Sequence, residues 1–439
     1  MNAHRVCTLA ALAAAIAVPA AAQVPLTPRA LGLGNGYVAA ARGAESLWQN
    51  PANLGLPGTS HWSFNVPTLA VGADILGLDV GDVADLVDYD NQTEARRDEL
   101  LDQIPGTGTD VRAELRVPLI SAQIRHFAVG VSYNTLGNHT LQRDFVDLLL
   151  FGFQPQPGRY NINPQLTQGF RATYVDVAAA YGRRIPVSLT GALSAGATVH
   201  YYRGSGIMRS GIVRVDTLRN GVGIPNDIRV TYAGVKDEGG NGLGLDLGAA
   251  FQPMPNLTFS ASVSNVLNTF EWGGGRTVKS VALTSADYVN GDVQDILDRY
   301  DASEADYVEG SAPLAVQGLA NDLAFETDLP RTLRAGAAFE PRPGTLLSAG
   351  YTGDLGDSRT GGLWDQSLGV GVQQRLAFLS ARVGLASNLE DGTLLSGGLS
   401  LGPLHLGVAR LSDGSVQGFD RKGWIATFGL GTASQSRMP

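Results

Sequence analysis

Cysteine is almost absent from this chain of 439 residues, in which Cys7 is the only one. Cys7 lies in a stretch with the features of a secretion signal: a positive charge at Arg5, an apolar run over Val6–Val18 and small residues up to Ala22. We therefore expect residues 1–22 to be a signal peptide that is cleaved after Ala22. Without cysteine, the remaining chain has no disulfide, no thiolate nucleophile and no cysteine metal site.

Long apolar runs and clustered positive charge are also missing. After the signal, no segment offers the roughly twenty consecutive apolar residues that a membrane-spanning helix needs. Acidic residues outnumber basic ones by 41 to 32, which gives a net charge of −9 and no surface suited to nucleic acid. Glycine is abundant, with 56 residues, but an apolar fraction of 44% is too large for a disordered chain.

The patterns of catalytic and metal sites are missing as well. Beyond the signal, no two histidines stand at the spacing of metal ligands, and no G-x-S-x-G nucleophile motif occurs. Five acidic residues between Asp79 and Asp90 lack the spacing of a calcium-binding loop, so we interpret them as a solvated face. We predict no catalytic residue, no metal, no cofactor and no enzyme.

What dominates the chain is strict alternation of apolar with small or polar residues. In Phe127–Asn134 the apolar set is Phe127, Val129, Val131 and Tyr133, with Ala, Gly, Ser and Asn between them. Such a period of two is typical of a β-strand with one apolar face. We predict fourteen strands, at residues 59–72, 110–122, 124–137, 169–183, 188–204, 241–252, 257–270, 330–340, 345–354, 364–374, 377–388, 393–401, 404–411 and 421–432.

The connections between these strands alternate in length. Those after even-numbered strands are a few residues each, whereas those after odd-numbered strands are longer and several are very long. This phase indicates an all-β fold, an up-and-down antiparallel transmembrane β-barrel in the lipid of the outer membrane, with its short turns in the periplasm. The barrel would span residues 59–432, and residues 433–439 would form a short periplasmic tail. The alternative is a soluble secreted β-rich protein that binds glycans.

Three long connections fall on the predicted outer side, and we expect them to be partly helical. They are residues 77–105, 143–153 and 272–329, and the last includes acidic stretches at Asp292–Tyr300 and Asp322–Thr327. A fourth, residues 205–240, is expected to extend as a β-hairpin above the membrane. The apolar residues Phe145, Leu148, Leu149 and Phe151 are candidates for admitting a ligand. The alternative is that the loop helices pack on one another and close the mouth.

Several ionisable residues fall on predicted lumen faces. These candidates are His126, Asp176, His200, Asp246, Arg334 and Arg382. Ionisable groups inside a barrel either line a polar pore or pair with one another and brace the wall. We favour bracing.

The segment at residues 23–58 is rich in small residues and precedes the first strand. It contains Gly32, Gly34, Asn35 and Gly36, followed by Asn50-Pro51-Ala52. This pattern resembles the N-terminal plug of the FadL-like outer-membrane barrels, the long-chain fatty-acid channels. Their relatives include PorV-type barrels, TraF-like proteins and uncharacterised members. The resemblance implies fourteen strands, a plug inside the lumen and a channel for hydrophobic small molecules.

Two functions stay open at this point. The first is a FadL-like channel for the uptake or passage of a hydrophobic small molecule, released inward when the plug shifts. The second is a non-transporting scaffold that docks envelope proteins of secretion, conjugation or surface attachment through its acidic loops.

Overall fold

The computed structural model describes residues 27–74, 102, 109–151, 160–164, 167–186, 190–223, 225–284, 287, 293–308, 310–325, 329–355, 366–389, 392–416 and 419–433. The predicted signal peptide, the acidic loop at 77–105 apart from Asp102, and the tail after Ala433 lie outside these residues. Within the described part of the chain, no helix is long and apolar enough to cross a membrane.

Seventeen strands form one continuous antiparallel sheet. They are β1 Trp62–Asp74, β2 Thr109–Ile124, β3 Phe127–Leu141, β4 Gln168–Ile185, β5 Ala192–Arg219, β6 Pro225–Glu238, β7 Asn241–Met254, β8 Leu257–Glu271, β9 Arg276–Leu283, β10 Ala305–Asp306, β11 Thr332–Arg342, β12 Thr345–Asp354, β13 Gln366–Leu376, β14 Leu379–Ser387, β15 Thr393–Leu401, β16 Leu404–Val416 and β17 Phe419–Ala433.

Fourteen of these strands close into a barrel, and β6, β9 and β10 stand outside it. The first and last strands pair from Ser63 with Ala433 to Asp74 with Gly423, so the sheet has no open edge there. Strands β8 and β11 pair directly, for example Val263 with Leu333, although a long loop separates them in sequence. The predicted fourteen-stranded antiparallel barrel is therefore confirmed.

The N-terminal segment, residues 27–56, folds into short helical turns. Helix α1 covers Pro28–Gly32 and α2 covers Ser46–Gln49, while single 3-10 turns form at Gly43–Glu45 and Pro51–Gly55. Helix α1 and the turn at Pro51–Gly55 each begin with a proline that follows a capping polar side chain. The Thr27 hydroxyl accepts a hydrogen bond from the Ala30 backbone N–H at 3.3 Å and caps α1. Almost every residue of the segment is buried, and its neighbours are inward-facing residues of the barrel.

The loops at the end opposite the short turns carry the remaining structure. Strands β5 and β6 form the predicted hairpin, with β5 running on to Arg219. Helix α3 covers Arg143–Phe151, α4 covers Val293–Ala302 and α5 covers Leu314–Phe325. Strands β9 and β10 were not predicted; β9 pairs with β6, and β10 pairs with β9. The second helix expected after residue 272 begins at Leu314 rather than Asp322, because apolar residues ahead of the acidic stretch supply its packed face.

The outward face of the barrel is apolar. Exposed aliphatic residues alternate with buried small or polar ones along the strands, as at Val129, Val177, Val199, Leu247, Val370, Val383, Leu395 and Val408. Exposed aromatic residues gather near the short turns: Trp62, Phe64, Phe127, Tyr181, Phe259, Phe339, Phe378 and Phe428. Such a band with an aromatic ring at its border is typical of barrels that face lipid.

Candidate functional site: the barrel lumen

Wall glycines face the N-terminal segment where the two come closest. A Cβ atom at Gly369 or Gly384 would overlap backbone atoms of Gly34, and one at Gly248 would overlap the Asn50 side chain. Because these wall positions carry no side chain, the backbone of the segment lies directly against the sheet.

Asn50-Pro51-Ala52 is held by three strands. The Asn50 amide donates to the carbonyl oxygens of Ala249 on β7 and Ala261 on β8, both at 3.0 Å. Its side-chain oxygen accepts from the Ala52 N–H at 2.9 Å. The Ser194 hydroxyl of β5 donates to the Ala52 carbonyl at 2.5 Å. An asparagine serves here because one side chain supplies both two donors and an acceptor.

Asn35 anchors the other half of the segment. Its amide nitrogen lies 3.2 Å from the hydroxyl oxygens of Thr352 on β12 and Ser367 on β13 and donates to both. Its backbone is left-handed, with φ at 66°, a conformation that asparagine tolerates better than most residues. Gly32 and Gly36 face the wall glycines Gly398 and Gly350.

A buried ion pair ties the segment to itself. The Arg29 guanidinium donates to the Glu45 carboxylate at 3.2 Å, and the Tyr37 phenol donates to the same carboxylate. Burial, together with the charge of Glu45, raises the pKa of the Tyr37 phenol above its usual 10.0. The phenol therefore keeps its proton and acts as a hydrogen-bond donor.

This pair continues into the wall through a histidine. Arg29 Nη2 lies 3.0 Å from His405 Nε2 on β16, and His405 Nδ1 lies 2.6 Å from the Ser400 hydroxyl on β15. Arg382 on β14 donates to the same hydroxyl at 2.7 Å and to the side chain of Gln373 at 2.7 Å. One chain of polar contacts thus connects the N-terminal segment to four wall strands.

Above the segment, charged residues form what we call the ion layer: Asp176, His200, Asp246 and Arg334. His200 Nδ1 lies 3.0 and 3.1 Å from the two Asp176 oxygens, and Nε2 lies 3.2 Å from an Asp246 oxygen. Because both ring nitrogens face carboxylates, both carry protons and His200 is an imidazolium.

Arg334 completes the ion layer from β11. Its guanidinium donates to the Ser264 hydroxyl at 2.8 Å, and the neighbouring Asn265 N–H donates to Asp246 at 2.8 Å. Asn265 has a left-handed backbone, with φ at 55°, where the pairing of β7 with β8 shifts by two residues. The bulge turns the Asn265 N–H towards Asp246.

Further outward, aromatic side chains form what we call the aromatic layer: Phe170, Tyr174, Tyr202 and Phe270. The Tyr174 ring meets those of Tyr202 and Phe270 edge-on, with centroids 5.6 and 5.8 Å away. The Tyr202 hydroxyl donates to the Asn265 side chain at 2.7 Å, which joins the two layers. Helix α5 covers the aromatic layer with Val316, Leu319 and Ala320, all buried.

The structure brings some of the predicted lumen residues together and separates others. Asp176, His200, Asp246 and Arg334 meet in the ion layer, whereas Arg382 lies across the barrel beside Ser400. His126 was placed on a strand face, but it lies in the turn between β2 and β3. There its Nδ1 is 2.9 Å from the Leu54 carbonyl. The strand stops because Arg125 adopts a left-handed backbone, with φ at 54°.

Two of the four candidates for admitting a ligand have described side chains, and both of these lie in packed surroundings. Phe145 and Leu148 of α3 are buried against Ile212, Ile228 and Val230 of the β5–β6 hairpin. Their packing matches the alternative in which loop elements pack on one another. Leu149 and Phe151 belong to α3, and their side chains lie outside the described part of the structure.

Sequence reasoning missed Arg29, Tyr37, Glu45 and His405. Arg29 and Glu45 are charged residues in a segment of small residues, and this contrast could have identified them. No sequence pattern near either residue relates them to His405. Among the described residues, no group of three or more His, Cys, Asp or Glu is placed to hold a metal ion.

The molecule is thus a closed fourteen-stranded β-barrel whose lumen is occupied by its own N-terminal segment. The chain belongs to the Family of unknown function (DUF5723), whose sequence profile matches residues 51–409. No curated protein matches it.

Solved structures similar to this chain are described as transporters and channels. The toluene transporter TbuX of Ralstonia pickettii is 15% identical, with 92% of this chain and 97% of that chain covered and a TM-score of 0.48. The Pseudomonas putida toluene transporter TodX is 12% identical over 92% and 97%, with a TM-score of 0.44. A Pseudomonas aeruginosa FadL homologue is 12% identical over 95% and 99%, with a TM-score of 0.42.

Proposed function

We propose that this protein is an outer-membrane channel for hydrophobic small molecules and that residues 23–58 are its plug. The observation that carries the proposal is the aromatic layer inside the barrel. Water-filled barrels have polar interiors. Here Tyr174, Tyr202 and Phe270 are buried inside the barrel and form an apolar cluster with helix α5 above the plug.

The outer surface supports a position in a bilayer. Its apolar side chains run all round the barrel, far beyond the few hundred Å² that a soluble monomer usually exposes in one patch. In a closed barrel the wall strands satisfy one another's backbone groups, as the hydrocarbon region requires. The aromatic ring near the short turns marks one membrane border.

The plug supports a gated passage. Its backbone lies directly against wall glycines, and polar side chains fasten it at Asn35, Asn50 and Arg29. A solute in the upper lumen passes inward only when this segment moves. These anchors are separate from the backbone pairings between wall strands, so the segment can move without unfolding of the barrel.

A reversible disulfide between plug and wall tests the gate. A Cβ atom at Gly43 would lie 3.0 Å from that of Ser63 on β1, closer than the usual spacing of about 3.5–4.5 Å in a disulfide, so the two residues can be bonded after a small outward shift of the segment. The only natural cysteine, Cys7, lies in the predicted signal. In cells that express Gly43→Cys/Ser63→Cys, we expect mild oxidation to reduce the initial uptake rate of radiolabelled naphthalene by at least about tenfold, and dithiothreitol to restore it.

The single variants Gly43→Cys and Ser63→Cys are the controls, since they carry the same local changes without the bond. Mass spectrometry establishes that the cross-link has formed. Equal uptake by the oxidised and reduced double variant would exclude a gating role for the segment.

The extracellular sheet favours a second candidate, a scaffold for envelope partners. Strands β6, β9 and β10 extend the barrel wall with a surface that a channel does not need. Deletion of residues 212–232 from the tip of the hairpin separates the candidates. A scaffold that does not transport loses its cross-linked partners and gives no barrel-dependent naphthalene uptake either before or after the deletion. A channel takes up naphthalene without any partner, so its uptake does not depend on one.

A further inference from the structure

The ion layer and the aromatic layer lie in contact on the same strands. Inward-facing residues of β5 run in order from Gly196, which faces Ala52 of the plug, through Thr198 and His200 to Tyr202. The His200 and Tyr202 rings stack with centroids 5.6 Å apart. A molecule on the aromatic layer therefore has its inner end at the ion layer.

The formal charges of the ion layer cancel. Asp176 and Asp246 contribute two negative charges, and the His200 imidazolium and Arg334 contribute two positive ones. Asp176 and His200 are almost fully buried. In such surroundings a further charge of either sign has no counter-ion, and an unpaired buried charge is far more costly than a neutral hydrogen-bonding group.

The ion layer also holds a polar group without a partner. The Thr198 hydroxyl is fully buried, and among the described residues it makes no hydrogen bond. Thr198 pairs with Asp246 across β5 and β7, so the hydroxyl lies beside that carboxylate. A buried hydroxyl that lacks a partner costs free energy, which a ligand hydroxyl relieves by donating to it or accepting from it.

The aromatic layer offers an apolar surface for the hydrocarbon part of a ligand. Helix α5 covers it with the aliphatic side chains of Val316, Leu319 and Ala320. When α5 moves away, the faces of Tyr174, Tyr202 and Phe270 become available. Arg209 is buried, and its guanidinium carbon lies 5.5 Å from the centre of the Phe170 ring.

We infer that the lumen selects amphipathic ligands with a neutral hydroxyl end, such as phenols or alcohols, over ligands that end in a carboxylate or a cation. The hydroxyl lies in the ion layer beside Thr198, and the apolar part lies on the aromatic layer. This inference rests on the proposed channel function.

Three ligands of matched size test it: 4-ethylphenol, 4-ethylbenzoate and 4-ethylbenzylammonium. Binding to the full chain in detergent is measured by calorimetry at pH 7.5, where the three are neutral, anionic and cationic. We expect the phenol to bind at least about tenfold more tightly than either ion, because only the ions add an uncompensated buried charge. Equal affinity for the benzoate and the phenol would overturn the inference and leave the proposed channel intact. Binding of none of the three would count against the channel itself.

Two substitutions that change the net charge of the ion layer in opposite directions sharpen the test. Asp246→Asn leaves the ion layer with a net positive charge, and we expect the ratio of benzoate to phenol affinity to rise by about tenfold or more. Arg334→Gln leaves the ion layer with a net negative charge. We expect it to raise the ratio of ammonium to phenol affinity instead. Asp301→Asn, at an exposed position of helix α4, is the matched control and should change neither ratio. Unchanged ratios in both variants would refute the inference.

Thr198→Val covers the case in which a charge variant does not fold. It keeps the shape of the side chain and the charge of the layer, and it removes the hydroxyl. We expect the advantage of 4-ethylphenol over 4-ethyltoluene, which lacks the hydroxyl, to fall by at least about threefold, as loss of one hydrogen bond implies. An unchanged advantage would place the ligand hydroxyl elsewhere and overturn the inference.

Discussion

Arg29 Nη2 lies 3.0 Å from His405 Nε2, and this contact fixes the protonation state of the histidine. A guanidinium only donates hydrogen bonds, so Nε2 accepts and the ring proton is on Nδ1, facing the Ser400 hydroxyl. His405 is therefore neutral. It connects the Arg29 guanidinium of the N-terminal segment with the Ser400 hydroxyl, which Arg382 also contacts. Its role differs from that of His200, which lies between two carboxylates and is charged.

Removal of the His405 acceptor should weaken the attachment of the N-terminal segment to the barrel wall. In His405→Phe, Arg29 loses a buried partner, and we expect a loss of about 1–3 kcal/mol in the free energy of unfolding. His405→Gln keeps an acceptor and should lose less. The measurement is the temperature at which the detergent-purified barrel shifts to the mobility of the boiled chain on an SDS gel. Equal midpoints for the two variants would show that the acceptor contributes nothing.

Alkaline pH should destabilise the fold through Tyr37. Its pKa is raised in the folded chain by burial and by Glu45, so the folded phenol stays protonated while an unfolded one ionises near its usual 10.0. The stabilisation is fully present below pH 10.0 and is lost as the pH rises above it. We expect the unfolding midpoint of the wild type to fall more steeply between pH 9 and 11 than that of Tyr37→Phe. Parallel profiles would contradict this.

The sequence predicts the barrel well because its signals are local. Alternation identifies each strand, and short turns such as Glu340–Gly344 separate the strands of a pair. Asn50-Pro51-Ala52 likewise points to a compact turn, since the asparagine caps the turn that the proline begins. These features are readable from a few neighbouring residues.

Contacts between residues that are far apart along the chain could not be predicted from the sequence. Arg29 and His405 are 376 positions apart, and no local pattern relates them. Strand β9 lies in a region of mixed composition and forms only because β6 offers it an edge. His126 was misplaced because the turn between the two strands lies at Arg125 and His126 rather than at residue 123, and an arginine gives no sign of the left-handed conformation that Arg125 adopts.

Substitution of a wall glycine that faces the N-terminal segment should destabilise the protein, even when the new side chain is only a methyl group. In Gly369→Ala the new Cβ overlaps the Gly34 carbonyl oxygen, so either the plug or the strand must shift. We expect destabilisation of about 1–3 kcal/mol, typical of overpacking, measured as the same gel-shift midpoint. Gly397→Ala on β15 is the control, since its Cβ finds only one atom, at 3.8 Å. If both substitutions had the same effect, the close approach at Gly369 would not matter.

Detachment of α5 should open the aromatic layer. Leu319 is buried in the apolar cluster at 6% exposure, whereas Leu314 of the same helix is 84% exposed. In Leu319→Asp the carboxylate has no partner in the cluster, so we expect α5 to leave and expose Tyr174, Tyr202 and Phe270. Trp272 packs on this cluster, so its fluorescence should shift to longer wavelength, and 4-ethylphenol should bind faster. Leu314→Asp adds the same charge to the exposed side of the helix. It should leave the Trp272 fluorescence and the binding rate of 4-ethylphenol unchanged. An unaltered spectrum and binding rate in Leu319→Asp would show that α5 does not restrict access to the lumen.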